Sequence, residues 1–125
     1  MMNEIIYEGV ERRKFPRANC RFVVLYKVLG DKLTSNRDVS QTKNISCEGL
    51  LITTSKAFPP LTTLEIKLRL PIFNNLINLL GEIVESTEIL EDLIYDTRLH
   101  LIQIGEDEKN LLSKTVELLL NKTLK

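Results

Sequence analysis

The 125-residue sequence has no tryptophan, only two cysteines, and no apolar run long enough to cross a bilayer as a helix. Its first residues, Met1 to Glu4, lack the basic start and the apolar core of a secretory signal peptide. We therefore expect a cytoplasmic protein without membrane insertion. Cys20 and Cys47 show no metal-ligand spacing, and disulfides are rare in a reducing compartment. The sequence predicts no metal site and two half-buried thiols.

The chain also lacks a net charge, because 17 lysines and arginines balance 17 aspartates and glutamates. It has no overall positive field of the kind that attracts duplex nucleic acid, so we expect no nucleic-acid partner. The charge is nevertheless unevenly placed, and acids dominate residues 82–96 and 106–108. Five basic residues fall within ten positions: Arg12, Arg13, Lys14, Arg17 and Arg21. This cluster indicates a local anion site.

The length is that of a single domain with one core. With 43% hydrophobic residues and no internal repeat, the composition is that of an ordinary globular protein. Residues 1–17 are polar, contain Pro16 near their end, and are interpreted as an N-terminal arm that carries part of the basic cluster. Residues 18–125 are expected to form the domain itself.

Alternating apolar residues predict strands through most of the domain. The clearest pattern puts Leu64, Ile66, Leu68 and Leu70 on one face and charged residues on the other. Gly81 interrupts a later strand, and a glycine there commonly marks a bend or a bulge in a small barrel. The predicted strands lie near residues 20–29, 40–43, 49–54, 64–70, 77–86 and 98–104, and an acidic connection is predicted at residues 88–96.

Beyond Gly105 the apolar residues recur at helical spacing, which predicts an amphipathic helix at about residues 107–121. Asp107 is expected to cap its N-terminus. The fold class is therefore mainly β. Six strands followed by one helix indicate an antiparallel β-barrel or a strongly curled sheet, with the apolar face of the helix covering one opening.

Two short patterns stand about thirty residues apart. Arg13 and Arg17 form R-x-x-x-R in the arm, just before a predicted strand. Asn44, Ser46 and Gly49 form N-x-S-x-x-G in a turn that opens a later strand. Their order, spacing and context resemble the paired signature of PilZ domains.

The resemblance extends over about residues 12–120 and implies both a fold and a ligand. The implied fold is a six-stranded antiparallel β-barrel with a C-terminal α-helix, and the implied ligand is cyclic di-GMP. By the same resemblance, the ligand-binding residues are Arg12, Arg13, Arg17, Asn44, Ser46 and Gly49.

These residue types suit a ligand with two guanine edges and two phosphodiester anions. A guanidinium can pair with phosphate oxygens or with the O6 and N7 atoms of guanine. Asn44 and Ser46 can read a guanine edge or hold the loop, and Gly49 would permit a positive φ and close approach of the ligand. Asn44 replaces the aspartate of many relatives, which removes one carboxylate acceptor. A stacking residue from a later strand is not assigned; Arg98 and His100 are candidates by position.

The primary hypothesis is a cyclic di-GMP receptor or adaptor that orders its arm on ligand binding and signals to an unidentified effector protein. We expect a monomer or weak homodimer without a cofactor. Catalysis is not expected, because Ser46 has no nearby base in the sequence and His100 is the only histidine. One alternative is a ligand-free structural or adaptor barrel acting by protein–protein interaction. Another is a barrel for single-stranded nucleic acid, for which stacking aromatics are scarce.

Overall fold

A computed structural model describes residues 15–30 and 37–124, with side chains to Asn121. Most of the predicted arm, residues 1–14, lies outside the described residues. Within them the chain forms seven strands and one α-helix: β1 Ala18–Asn19, β2 Val23–Val28, β3 Asp38–Ile45, β4 Gly49–Thr54, β5 Thr63–Leu70, β6 Asn75–Leu90, β7 Ile94–Ile104 and α1 Glu106–Leu124.

Six of the strands close into an antiparallel barrel. Neighbouring strands follow the order β3-β2-β5-β6-β7-β4, and an additional pairing of β3 with β4 closes the ring. The short β1 pairs with the end of β3, where Ala18 lies opposite Ile45. The six-stranded barrel expected from the sequence is confirmed, and β1 is a further strand that the sequence did not indicate.

The core lies inside the barrel and follows the alternation of the strands. Leu64, Ile66, Leu68 and Leu70 of β5 are all buried, whereas the charged residues between them are half-buried or exposed. The helix adds to this core, because its buried Leu112 and Val116 join the cluster and it packs against β1 and β5. The same alternation that buries one face of each strand leaves the other face free to build a surface site.

The acidic connection predicted at residues 88–96 is wrong. Strand β6 continues to Leu90 and β7 begins at Ile94, which leaves a turn of three residues. Asp92 adopts a φ of 58° in that turn, and its backbone nitrogen donates to Glu88 Oε2 at 2.9 Å. Acidic composition suggested a loop, but exposed acids are compatible with pairing in the long β6–β7 hairpin.

Two smaller predictions concern Gly81 and the helix start. Gly81 does mark a bulge: the register passes from Leu80 opposite Gln103 to Gly81 opposite Leu101, so β7 carries one extra residue. Asp107 is not the N-cap, because the helix begins at Glu106 and Asp107 lies in its first turn. There its charge still meets the positive end of the helix dipole.

Candidate ligand-binding site

The turn between β3 and β4 is held together by the side chain of Ser46. This side chain is buried, and its Oγ accepts hydrogen bonds from the backbone nitrogens of Glu48 at 3.2 Å and Gly49 at 3.1 Å. The Ser46 nitrogen donates to the Gly49 carbonyl oxygen at 2.9 Å. Of the two roles predicted for Ser46, holding the loop is therefore the one that the contacts display.

Strand β7 fixes the position of this turn. The Leu101 nitrogen donates to the Glu48 carbonyl oxygen at 2.8 Å, and Gly49 lies opposite His100 in the β4–β7 ladder. A Cβ atom at Gly49 would overlap the carbonyl oxygen of Leu99. Gly49 does not adopt the positive φ that a glycine would permit, since Gly30 is the one glycine of the described residues with a positive φ. Glycine is needed at position 49 because two backbones come close.

A cavity of about 120 Å³ opens beside the turn on the outside of the barrel. It is lined by Arg17, Asn44, Ser46, Glu48, Gly49, Val84, Arg98, Leu99 and His100. Four of the six predicted ligand-binding residues thus meet at one place, although the first of them is 27 positions or more from the others in sequence. The remaining two, Arg12 and Arg13, lie outside the described residues.

Arg98 and His100 reach the cavity because of the strand register. Inward-facing Thr97 and Leu99 of β7 are buried, so the intervening residues point to the outer face. Arg98 pairs with Leu51 of β4, and His100 pairs with the turn residue at position 49. Both positional candidates for a later-strand contact are therefore beside the motif.

Three other lining residues, Glu48, Val84 and Leu99, were not among the site residues predicted from the sequence. Val84 is the extra residue of a β6 bulge, because the register passes from Ile83 opposite Leu99 to Glu85 opposite Arg98. The bulge is a property of strand pairing and leaves no local pattern. Glu48 could have been noticed, because it lies inside the N-x-S-x-x-G turn.

The cavity combines cationic, amide and carboxylate groups. Half-buried Arg17 and Arg98 supply planar guanidinium donors, which bind phosphate or the acceptor edge of a purine. Asn44 can donate and accept, and the exposed carboxylate of Glu48 accepts hydrogen bonds. This donor set is suited to an anion that also carries a hydrogen-bonding base.

A second, wider groove of about 500 Å³ adjoins this cavity and shares Asn44 with it. Arg21 and Lys43 add basic groups to its lining, and the Lys43 Nζ lies 2.6 Å from Asp96 Oδ1. Cys20 also lines the groove, and burial raises the pKa of its thiol. A neutral thiol is a poor nucleophile, so the groove is better suited to binding than to covalent chemistry.

A protein-family model and several solved structures match this chain. The family model described as the PilZ domain matches residues 11–118. No curated protein sequence matches this chain. No helix in residues 15–30 and 37–124 is long and apolar enough to cross a membrane.

Several solved structures have a similar fold. The PilZ domain of YcgR from Escherichia coli, solved with c-di-GMP, is 12% identical with a TM-score of 0.64, covering 90% of this chain and 95% of that one. MotI (DgrA), the inhibitor of motility of Bacillus subtilis, is 15% identical with a TM-score of 0.72, covering 92% and 52%. The MrkH–c-di-GMP complex of K. pneumonia is 15% identical with a TM-score of 0.72, covering 93% and 55%. This chain therefore spans about half the length of MotI and MrkH.

Proposed function

Since this chain belongs to the PilZ domain family, we propose that it is a receptor for cyclic di-GMP and passes the signal to a partner protein. The observation that carries the proposal is the meeting of Arg17 with Asn44, Ser46 and Gly49 at one cavity. The likeness in fold to the c-di-GMP complexes of YcgR and MrkH also supports it.

Each lining group has a task that its chemistry suits. Arg17 and Arg98 bind phosphate oxygens or the O6 and N7 edge of guanine through paired N–H donors. Asn44 takes up a guanine edge, while the Ser46–Gly49 contacts keep the turn in the shape that presents this amide. His100 is exposed beside Arg98 and offers a ring on which a base can stack.

The cavity alone is too small for the whole ligand. Sites that enclose a drug-sized molecule measure roughly 300–1,000 Å³, whereas this one measures about 120 Å³. The cyclic dinucleotide would therefore extend beyond the cavity across the barrel surface, which leaves its outer side open to further contacts. We propose that the arm covers this side, with Arg12 and Arg13 contacting the outer face of the ligand.

Covering the ligand with the arm gives the proposed receptor its output. A ligand held between arm and barrel creates a composite surface that the free protein lacks, and an effector protein that recognises this surface would respond to the ligand. Hydrogen exchange across residues 10–18 tests this step. Exchange should slow when cyclic di-GMP is added, and equal protection with and without the ligand would contradict arm ordering.

Binding itself is tested by isothermal titration of the purified protein with cyclic di-GMP. We expect saturable binding that Arg98→Ala weakens by at least about tenfold, because a charge-assisted contact contributes about 1.5–3 kcal/mol. Arg69→Ala is the matched control, since Arg69 is an exposed arginine on β5 that bonds Asn74 and does not line the cavity. Absence of binding by the folded wild-type protein would favour the ligand-free adaptor barrel instead.

A further inference from the structure

The tip of the β6–β7 hairpin exposes large apolar side chains. Ile89, Leu90 and Leu93 are each more than half exposed, and Ile94 is 37% exposed. A groove of about 230 Å³ connects Leu93 and Ile94 to Val39 at the start of β3, whose side chain is 71% exposed. Contiguous exposed apolar groups of this kind commonly mark a protein interaction site.

The charged residues of the hairpin tip and of the groove beside it are all acids. Between residues 85 and 96 the chain carries Glu85, Glu88, Glu91, Asp92 and Asp96 and no lysine, arginine or histidine. Asp38 lines the same groove from β3. Lys43 pairs with Asp96, Arg37 pairs with Glu65, and Arg98 lies opposite Glu85. None of the ion pairs among the described residues involves Glu88, Glu91 or Asp92. A partner that buries this surface must bring apolar groups and positive charge together.

The strand geometry indicates how a partner segment can bind. Strand β5 stops pairing with β6 at Glu82, so residues 84–90 of β6 pair with β7 alone among the described strands. Register shifts at Val84 and Ile89 interrupt this edge, and bulges of that kind discourage the addition of another strand. A segment that lies on the apolar face fits better than one that extends the sheet.

We propose that the hairpin tip is the docking surface for a basic amphipathic segment of a partner protein. The acids of the tip would repel an anionic lipid surface, and they would also repel the acidic tip of a second copy of the chain. Ile94 alternates onto the same outer face as Arg98, about 13 Å further along β7. A bound dinucleotide and a docked segment would therefore share one face of the barrel. If the docked segment belongs to the effector, this proposal rests on the proposed function.

The test uses a labelled Leu/Lys amphipathic peptide of five helical turns, about 18 residues. Its binding to the full chain is measured by fluorescence anisotropy beside Leu/Glu and Ser/Lys peptides of equal length. We expect the Leu/Lys peptide to bind at least about tenfold more tightly than either. The double variant Leu90→Ser, Leu93→Ser should lose at least about tenfold in affinity. Glu91→Gln, Asp92→Asn should weaken binding and reduce its dependence on salt.

The control variant is Ile72→Ser, Leu76→Ser, which removes two comparably exposed apolar side chains, one in the turn just before β6 and one near the start of that strand. It should bind the peptide as the wild type does. Equal losses in both double variants, or none in the tip variant, would overturn the proposal. Binding of the wild-type tip to phosphatidylglycerol vesicles would also overturn it. The same is true of a dimer that the tip variant abolishes and the control variant does not. Titration with cyclic di-GMP separates the two ideas, since the tip variants should retain wild-type dinucleotide affinity whether or not the peptide binds.

Discussion

The hydroxyl oxygen of Ser46 lies 3.1 Å from the backbone nitrogen of Gly49, so two of the three residues of the N-x-S-x-x-G motif hold each other in place. The motif therefore stabilises a turn in addition to lining the cavity. Its serine supplies acceptors for the turn amides, and its glycine lets the turn come against β7. Asn44, which precedes the turn, keeps an amide available at the cavity.

Ser46→Ala should lower the free energy of unfolding by about 1–3 kcal/mol, because it removes a buried acceptor of two backbone N–H groups. Urea denaturation measures the change. Ser113→Ala is the control, since Ser113 is exposed on α1 and its replacement should change stability by less than about 0.5 kcal/mol. Equal stability of the two variants would mean that the hydroxyl does not hold the turn.

Gly49→Ala should destabilise the barrel by about 1–3 kcal/mol, because the added methyl group overlaps the Leu99 carbonyl oxygen and the backbones must separate. Thermal unfolding followed by circular dichroism measures the effect. At Gly105 the added methyl group would meet the carboxylate of Glu108, which ends a flexible side chain. Gly105→Ala should therefore be much milder, and a reversed order of the two melting temperatures would contradict the packing argument.

Arg17→Ala should weaken cyclic di-GMP binding by roughly tenfold to more than a hundredfold, the range of a charge-assisted hydrogen bond. Arg17→Lys should rescue little of this loss, because an ammonium group keeps the charge but not the planar pair of donors. Titration calorimetry of both variants, with folding checked by circular dichroism, makes the comparison. Full rescue by lysine would show that only charge matters at this position.

Cyclic di-GMP should outcompete cyclic di-AMP by at least about tenfold at about 0.15 M salt, a difference of about 1.4 kcal/mol. One or two hydrogen bonds from Asn44 or an arginine to a guanine edge suffice for this gap. A competition assay with a fluorescent dinucleotide provides the measurement. Comparable affinities would indicate that the basic groups capture any dinucleotide anion.

Thr97→Val should lower stability by about 1–3 kcal/mol, because the buried Thr97 is the central member of a chain of three hydroxyl groups. Its Oγ1 lies 2.8 Å from Ser86 Oγ and 2.7 Å from Thr54 Oγ1. At the two ends, the Phe58 nitrogen donates to Ser86 and Thr54 donates to the Lys56 carbonyl oxygen. All members are satisfied when each hydroxyl donates toward Lys56, and valine breaks that order.

Thr115→Val is the control for this substitution in chemical denaturation. Thr115 is equally buried, but its hydroxyl bonds only the Leu111 carbonyl of its own helical turn in the described contacts. Such a bond duplicates what the helix already provides, so its loss should cost less than about 0.5 kcal/mol. A cost at Thr115 as large as that at Thr97 would contradict the importance of the hydroxyl chain.

Local patterns in the sequence determined most of the architecture. The two-residue alternation of β5 and the helical spacing of α1 are properties of neighbouring residues, so both elements could be predicted. The resemblance carried by the two motifs likewise implied that Arg17 would share a site with Asn44, Ser46 and Gly49, and these residues line one cavity. The acidic composition of residues 88–96 led to the wrong prediction of a loop, because strand pairing across the hairpin outweighed the local preference of these residues.

Only the tertiary structure decided the rest of the site. Arg98 and His100 face the cavity because β7 pairs with β4 in one register, and a shift of one residue would have turned both side chains inward. The need for glycine at position 49 arises from the backbone of Leu99, a residue 50 positions away in the chain. Register and backbone approach depend on contacts between distant segments, and no short sequence pattern encodes them.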